Sequence, residues 1–132
     1  MSNSDQTWNE IVDFSRSHGL LAMRLYLIHS VPQNGLLPVL EARADHVLYQ
    51  HALESRGILF GAGPLADEAE ESWDGEGLFI YRAAGLDAAV STAAADPMHL
   101  SGARTFRVRP WLLNEGSLSL RVVYSSGRSD IS

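Results

Sequence analysis

The period of the apolar positions changes several times along the chain, and each change marks a new element. Thr7 and Glu10 form a capping-box pair, followed by Trp8, Ile11, Val12 and Phe14 at helical spacing and by Gly19 as a stop. Residues 8–17 are therefore expected to form a short amphipathic helix. Residues 24–31 read as a strand closed by Pro32 and Gly35. From 37 to 56 the pattern turns helical, with Leu40, Ala44, Val47 and His51 on one face and Gly57 as the stop. A short strand at 58–64 ends in Gly63-Pro64, and a third strand covers 77–82. An Ala-rich helix at 86–95 is ended by Asp96-Pro97. The fourth strand, 104–109, stops at Pro110, and the turn Asn114-Glu115-Gly116 leads into a fifth at 118–124. Residues 125–132 are expected to fray.

The order β-α-β-β-α-β plus one strand predicts an α+β fold of the ferredoxin-like, split β-α-β kind. Two helices cover one face of an antiparallel sheet, with an extra C-terminal strand and a short N-terminal helix. The expected organisation is an N-terminal extension at 1–22, one α+β domain at 23–126 and a C-terminal tail at 127–132. The strands carry apolar residues on both parities: Leu25, Leu27 and Val31 against Tyr26 and Ile28, and Leu78 and Ile80 against Phe79 and Tyr81. A sheet with one wet face alternates with polar residues instead. Two helices cannot cover both faces, so a second copy stacked sheet on sheet is expected, giving a homodimer or a higher even oligomer.

Composition narrows the chemistry. The chain has 132 residues, enough for one domain with a core of its own. It has no cysteine, which excludes a disulfide scaffold, a thiol nucleophile and a Cys-ligated metal. The net charge is −6, opposite to that of most nucleic-acid binders. Residues 67–76 hold six carboxylates and no base; they read as a solvated loop or, with Trp73 at its tip, as a lid. No apolar run is long enough for a membrane span, and residues 1–5 lack the charge and apolar stretch of a signal peptide. A soluble, cytoplasmic protein is expected.

Among the five histidines none has the i, i+4 spacing of a helical metal pair, and there is no Gly-rich phosphate loop or Gly-x-Ser-x-Gly elbow. No metal and no organic cofactor is expected. A proton-transfer set remains. Arg43 and His46 are three apart and share a helix face, offset from the Leu40/Ala44/Val47 stripe. Asp96 ends the second helix, and His99 follows in a loop. Side-by-side helices bring His46 towards Asp96, and an Asp beside a His orients the ring and fixes its tautomer, which suits a general base.

Arg43-x-x-His46, Gly57-Ile58-Leu59, Gly63-Pro64, Asp96-Pro97 and the late Pro110, in this order and at these distances, resemble the YciI-like (YCII-related) family over residues 23–111. The resemblance implies a dimeric α+β barrel and a catalytic His–Asp pair falling on His46 and Asp96. His99 is an addition to that pair, and His46 and His99 could split the base and acid roles. The resemblance also implies cofactor-free proton abstraction followed by elimination or isomerisation, as in dehydrochlorination during aromatic breakdown. The expected partner is a small, anionic or aromatic-derived molecule, held by Arg43, Gly63 and Pro64, with no nucleic acid and no membrane. The competing expectation is a non-catalytic dimeric binding or accessory module of a catabolic pathway.

Overall fold

A computed structural model describes residues 6–132. The reading of residues 1–5 as free of a targeting signal, and that part of the 1–22 extension, lie outside the described residues. The described chain forms two compact units: Arg24–Trp111, and a smaller one joining the residues up to Met23 with Leu112–Ser132. The expected domain ran instead from 23 to 126. No helix among the described residues is long and apolar enough to cross a membrane.

The smaller unit opens with α1 (Trp8–Ser17). Its capping box is complete: Thr7 Oγ1 accepts from the Glu10 amide at 3.1 Å, and Glu10 Oε2 accepts from the Thr7 amide at 3.2 Å. Asn114 ties this segment to the C-terminal one, its Nδ2 donating to Ser15 Oγ and its Oδ1 accepting from the Ala22 amide. The expected extra C-terminal strand is present, outside the four-stranded sheet, and one expectation is corrected here: the tail does not fray. Instead Leu120–Val122 pairs antiparallel with Ser129–Ile131. The turn between them, closed by hydrogen bonds between Val123 and Arg128 and between Gly127 and Val123, gives the strand a local partner. Gly127 sits at φ +68°, a conformation that favours glycine.

The larger unit carries β1 (Met23–Pro32), α2 (Leu36–Ser55), β2 (Leu59–Pro64), β3 (Gly77–Tyr81), α3 (Leu86–Ala94), α4 (Pro97–Leu100) and β4 (Arg104–Leu113). The ends of β1 and β4 run into the smaller unit's residues. The strands form an antiparallel sheet in the order β2-β3-β1-β4, the split β-α-β arrangement. Tyr26 opposes Tyr81 and Ile28 opposes Phe79, and these four pack with Leu53 of α2 and Ala89 and Ala93 of α3 into one core. Both long helices thus lie on one face. The opposite parity, with Leu27 against Ile80 and His29 against Leu78, is half-buried. β2 carries a bulge at Phe60, between Leu59 and Gly61.

Three local expectations need correction. β4 runs through Pro110 to Leu113, because an edge strand tolerates a residue without an N–H. His99 lies in the short helix α4 rather than in a loop. The buried face of α2 is Val39, Gln50 and Leu53 with half-buried Ala42, His46 and Tyr49 between them, whereas Leu40, Ala44, Val47 and His51 are exposed. α2 is apolar on more than one side, so its periodicity admitted two faces. Packing against Phe79 and Tyr81 selects the one that contains His46.

Candidate active site

Asp96 is placed by the break between α3 and α4. It is the N-cap of α4, with Pro97 at the first helical position, and its Oδ1 accepts from the Met98 amide at 2.9 Å. The side chain is fully buried. The same carboxylate accepts from His46 Nδ1 at 2.8 and 2.9 Å and from Gln50 Nε2 at 3.1 Å, one turn further along α2. A cap residue and two groups on the inner face of α2 therefore meet in one buried cluster. A carboxylate offers no proton, so the neutral ring carries its hydrogen on Nδ1 and its lone pair on Nε2. Among the described residues, Nε2 makes no hydrogen bond. His46 also packs on Phe79, with ring centroids 5.2 Å apart.

His46 lines a cavity of about 820 Å³ between α2, β2 and the segment leading to β3. Gly63 and Pro64 of β2 line it too, as does Arg43, whose side chain is exposed and forms no ion pair among the described residues. The acidic loop closes one side. It is internally tied, since Asp67 accepts from the Glu71 amide and from Ser72 Oγ, bonds that hold its carboxyl below the usual carboxylate range. Trp73 is no exposed tip. Its indole packs with Val39, Met98 and Ala103, and its Nε1 donates to the Glu76 carbonyl at 2.7 Å.

His99 is not brought to the cavity. Its Nδ1 donates to the Ala93 carbonyl at 2.6 Å and its Nε2 accepts from Ser30 Oγ at 2.7 Å, so both nitrogens are engaged. Burial lowers its pKa from the ordinary 6.5, against an upward pull from the Ala93 bond and Asp96. The native protein then resists protonation that the unfolded chain accepts. Stability attributable to His99 is full above pH 6.5 and declines as pH falls below that value towards the depressed native pKa. Thermal melts of wild type are expected to drop over this window. His99→Asn, which can still donate to Ala93, should flatten the drop; an unchanged slope would contradict the assignment.

Sequence reasoning missed several cavity residues, among them Gln50, His51, Phe79 and Arg104. For Arg104 a signal existed. It shares strand parity with Phe106 and Val108, which pack on the core, while Thr105, Arg107 and Arg109 fall on the other parity. No group of three or more His, Asp or Glu side chains that could hold a metal forms among the described residues.

The YCII-related domain model matches residues 23–112, most of the chain and the whole segment that carries the cavity. The chain belongs to the YCII-related family. This YCII-related chain is also similar in fold to the 5-chloro-2-hydroxyhydroquinone dehydrochlorinase of Burkholderia phenoliruptrix AC1100, solved in complex with 2,5-dihydroxybenzoquinone. The likeness has a TM-score of 0.56 at 22% identity and covers 66% of this chain and 92% of that one. No curated protein sequence matches the chain.

Proposed function

We propose that the protein is a cytoplasmic, cofactor-independent acid–base enzyme, a lyase or isomerase of the dehydrochlorinase type acting on a small aromatic-derived metabolite. The observation that supports it most is the orientation of His46: Nδ1–H is held by buried Asp96, which leaves the Nε2 lone pair as the base of the cavity. The neighbour's bound benzoquinone is a small ring, well within a cavity of about 820 Å³.

In this reading Nε2 takes a proton from an acidic O–H or C–H of the ligand, and the electron pair stays in the conjugated system. In an elimination, chloride leaves with the C–Cl pair, so one proton and one chloride are lost and no oxidant is needed. In an isomerisation the proton returns to another carbon. Asp96 stabilises the imidazolium. Arg43 and the Gly63-Pro64 edge contact the ligand, and His99, outside the cavity, has its ring centroid 6.2 Å from that of Phe79.

Incubating the protein with chlorinated hydroxyhydroquinones, in EDTA and without added cofactor, should release chloride in step with substrate loss. Binding of such compounds without turnover, extended to unchlorinated quinols and unsaturated lactones, would favour the dimeric binding or accessory module.

The protein is also proposed to be a dimer or higher even oligomer joined through the second sheet face, where Leu27, Leu78 and Ile80 are half-buried. At about 25 cal/mol per Å² of apolar surface, covering that face is strongly favourable. Sedimentation at micromolar concentration should give twice 14.4 kDa or a higher even multiple, and a stable monomer would overturn it.

A further inference from the structure

Arg104 opens β4 and is only 5% exposed, yet it lines the cavity. Its Nε donates to the Gly75 carbonyl at 2.6 Å, while its Nη1 is buried without a hydrogen-bond partner. No carboxylate lies within ion-pairing distance of it among the described residues. Isolated buried cations are strongly disfavoured unless paired. Burial accordingly lowers its pKa, with Asp96, Asp74 and Glu76 pulling back from further away.

The surroundings are shaped to the guanidinium. A Cβ on Gly77 would come within 3.1 Å of Nη1, so bare backbone lies where the head group rests. Gly75, whose carbonyl receives Nε, sits at φ +107°, and a Cβ there would meet Pro32 Cγ at 3.0 Å. The Arg104 guanidinium carbon is 6.0 Å from the centroid of the Phe79 ring, on which His46 also packs. One aromatic ring thus carries both the base and the unpaired cation.

We propose that Arg104 is the specificity-determining residue of the cavity, receiving an oxyanion of the ligand. The ligand class is then a conjugated compound already ionised at neutral pH, an enolate or phenolate, whose negative oxygen meets Arg104 while a second acidic hydrogen faces His46. This rests on reading His46 as the base. When that hydrogen leaves, the electron pair delocalises onto the oxygen that Arg104 holds, so the same contact strengthens as the reaction proceeds. Arg43, exposed and screened by solvent, is the weaker anion contact.

The test is binding rather than turnover, so the two readings fail separately. Calorimetry would compare 2-hydroxy-1,4-naphthoquinone, an enolate at neutral pH, with its O-methyl ether, which cannot ionise. Wild type should prefer the enolate by about 10- to 100-fold, as a desolvated charge-assisted hydrogen bond provides. Arg104→Met should reduce that preference to about threefold or less, with a larger loss for the enolate than for the ether, since the charged contact acts on the enolate alone while the lost Nε bond to the Gly75 carbonyl affects both ligands alike. His46→Gln should keep the preference. Because Arg104 is buried, Gly77→Ala is the second variant: it retains the charge, displaces the guanidinium, and should also erode the preference. Absence of enolate preference in wild type, or its survival in folded Arg104→Met, would overturn the proposal. Should Arg104→Met not fold, an undiminished preference in Gly77→Ala would overturn it. A wild type that keeps the preference but turns nothing over supports the Arg104 assignment and counts against the acid–base reading alone.

Discussion

His46→Gln is expected to lower turnover by about 10²- to 10⁴-fold, the usual contribution of a positioned general base. The amide of glutamine can still donate to Asp96, as Nδ1 does at 2.8 Å, but it offers no lone pair of comparable basicity where Nε2 stood. The loss should fall on kcat, with ligand affinity little changed, because in the proposed reaction the ring acts on a proton rather than as the anchor of the ligand. His46 lies on the buried face of α2 and its side chain is only 12% exposed, so some loss of stability accompanies the change. One altered hydrogen bond to a charged, buried partner is worth about 1–3 kcal/mol, and a folded variant should be confirmed by denaturant titration. Near wild-type turnover on a confirmed substrate would remove His46 from the reaction.

The second large effect concerns Asp96. Its carboxylate serves the Met98 amide, His46 and Gln50 at once, with no exposure to solvent. Asp96→Ala removes the cap of α4 and leaves three buried donors without their acceptor. A loss of about 3–5 kcal/mol is expected, as for breaking a buried charged network. Asp96→Asn separates stability from chemistry. The amide oxygen can keep the Met98 cap, so the stability loss should be well below that of alanine. The amide hydrogens, however, now face His46 Nδ1, which must accept, and the ring proton moves to Nε2. Turnover should fall by an amount comparable to His46→Gln although the fold is retained. Denaturant unfolding in both variants gives the first quantity; a loss in Asp96→Ala of under about 1 kcal/mol would show that the cluster is not the anchor of α4.

Element order, class and the side-by-side placement of the helices that carry His46 and Asp96 were legible because their signals are local. The capping box of α1, Gly57 at φ +73° after α2, and Asp-Pro between two helices fix boundaries through side-chain caps and backbone geometry within a few residues. Apolar residues on both parities of β1 and β3 separate a core face from a second apolar face by counting residues. Once the split β-α-β order is read, the side-by-side helices follow from topology.

Other features depend on what each surface packs against, which the pattern leaves open. Leu40 and Val47 carry as much apolar character as Val39 and Leu53, so only the approach of Phe79 and Tyr81 decides that α2 turns His46 inward. His99 resembles a loop histidine until α4 forms and presents Ala93 and Ser30 to its two nitrogens. The fifth strand has the composition of a sheet strand, but its partner is the hairpin-forming tail, a choice made by the turn at Gly127. Arg104 is the sharpest case. Its strand parity marks it as inward-facing, yet the bare backbone of Gly75 and Gly77 that lets a guanidinium lie buried beside Phe79 comes from a segment about thirty residues away, brought there by the β3–β1–β4 pairing. The sequence determined which residues are inward-capable and where the chain turns. The tertiary structure decided which of them share a cavity, because burial and pairing depend on distances between segments that no local period encodes.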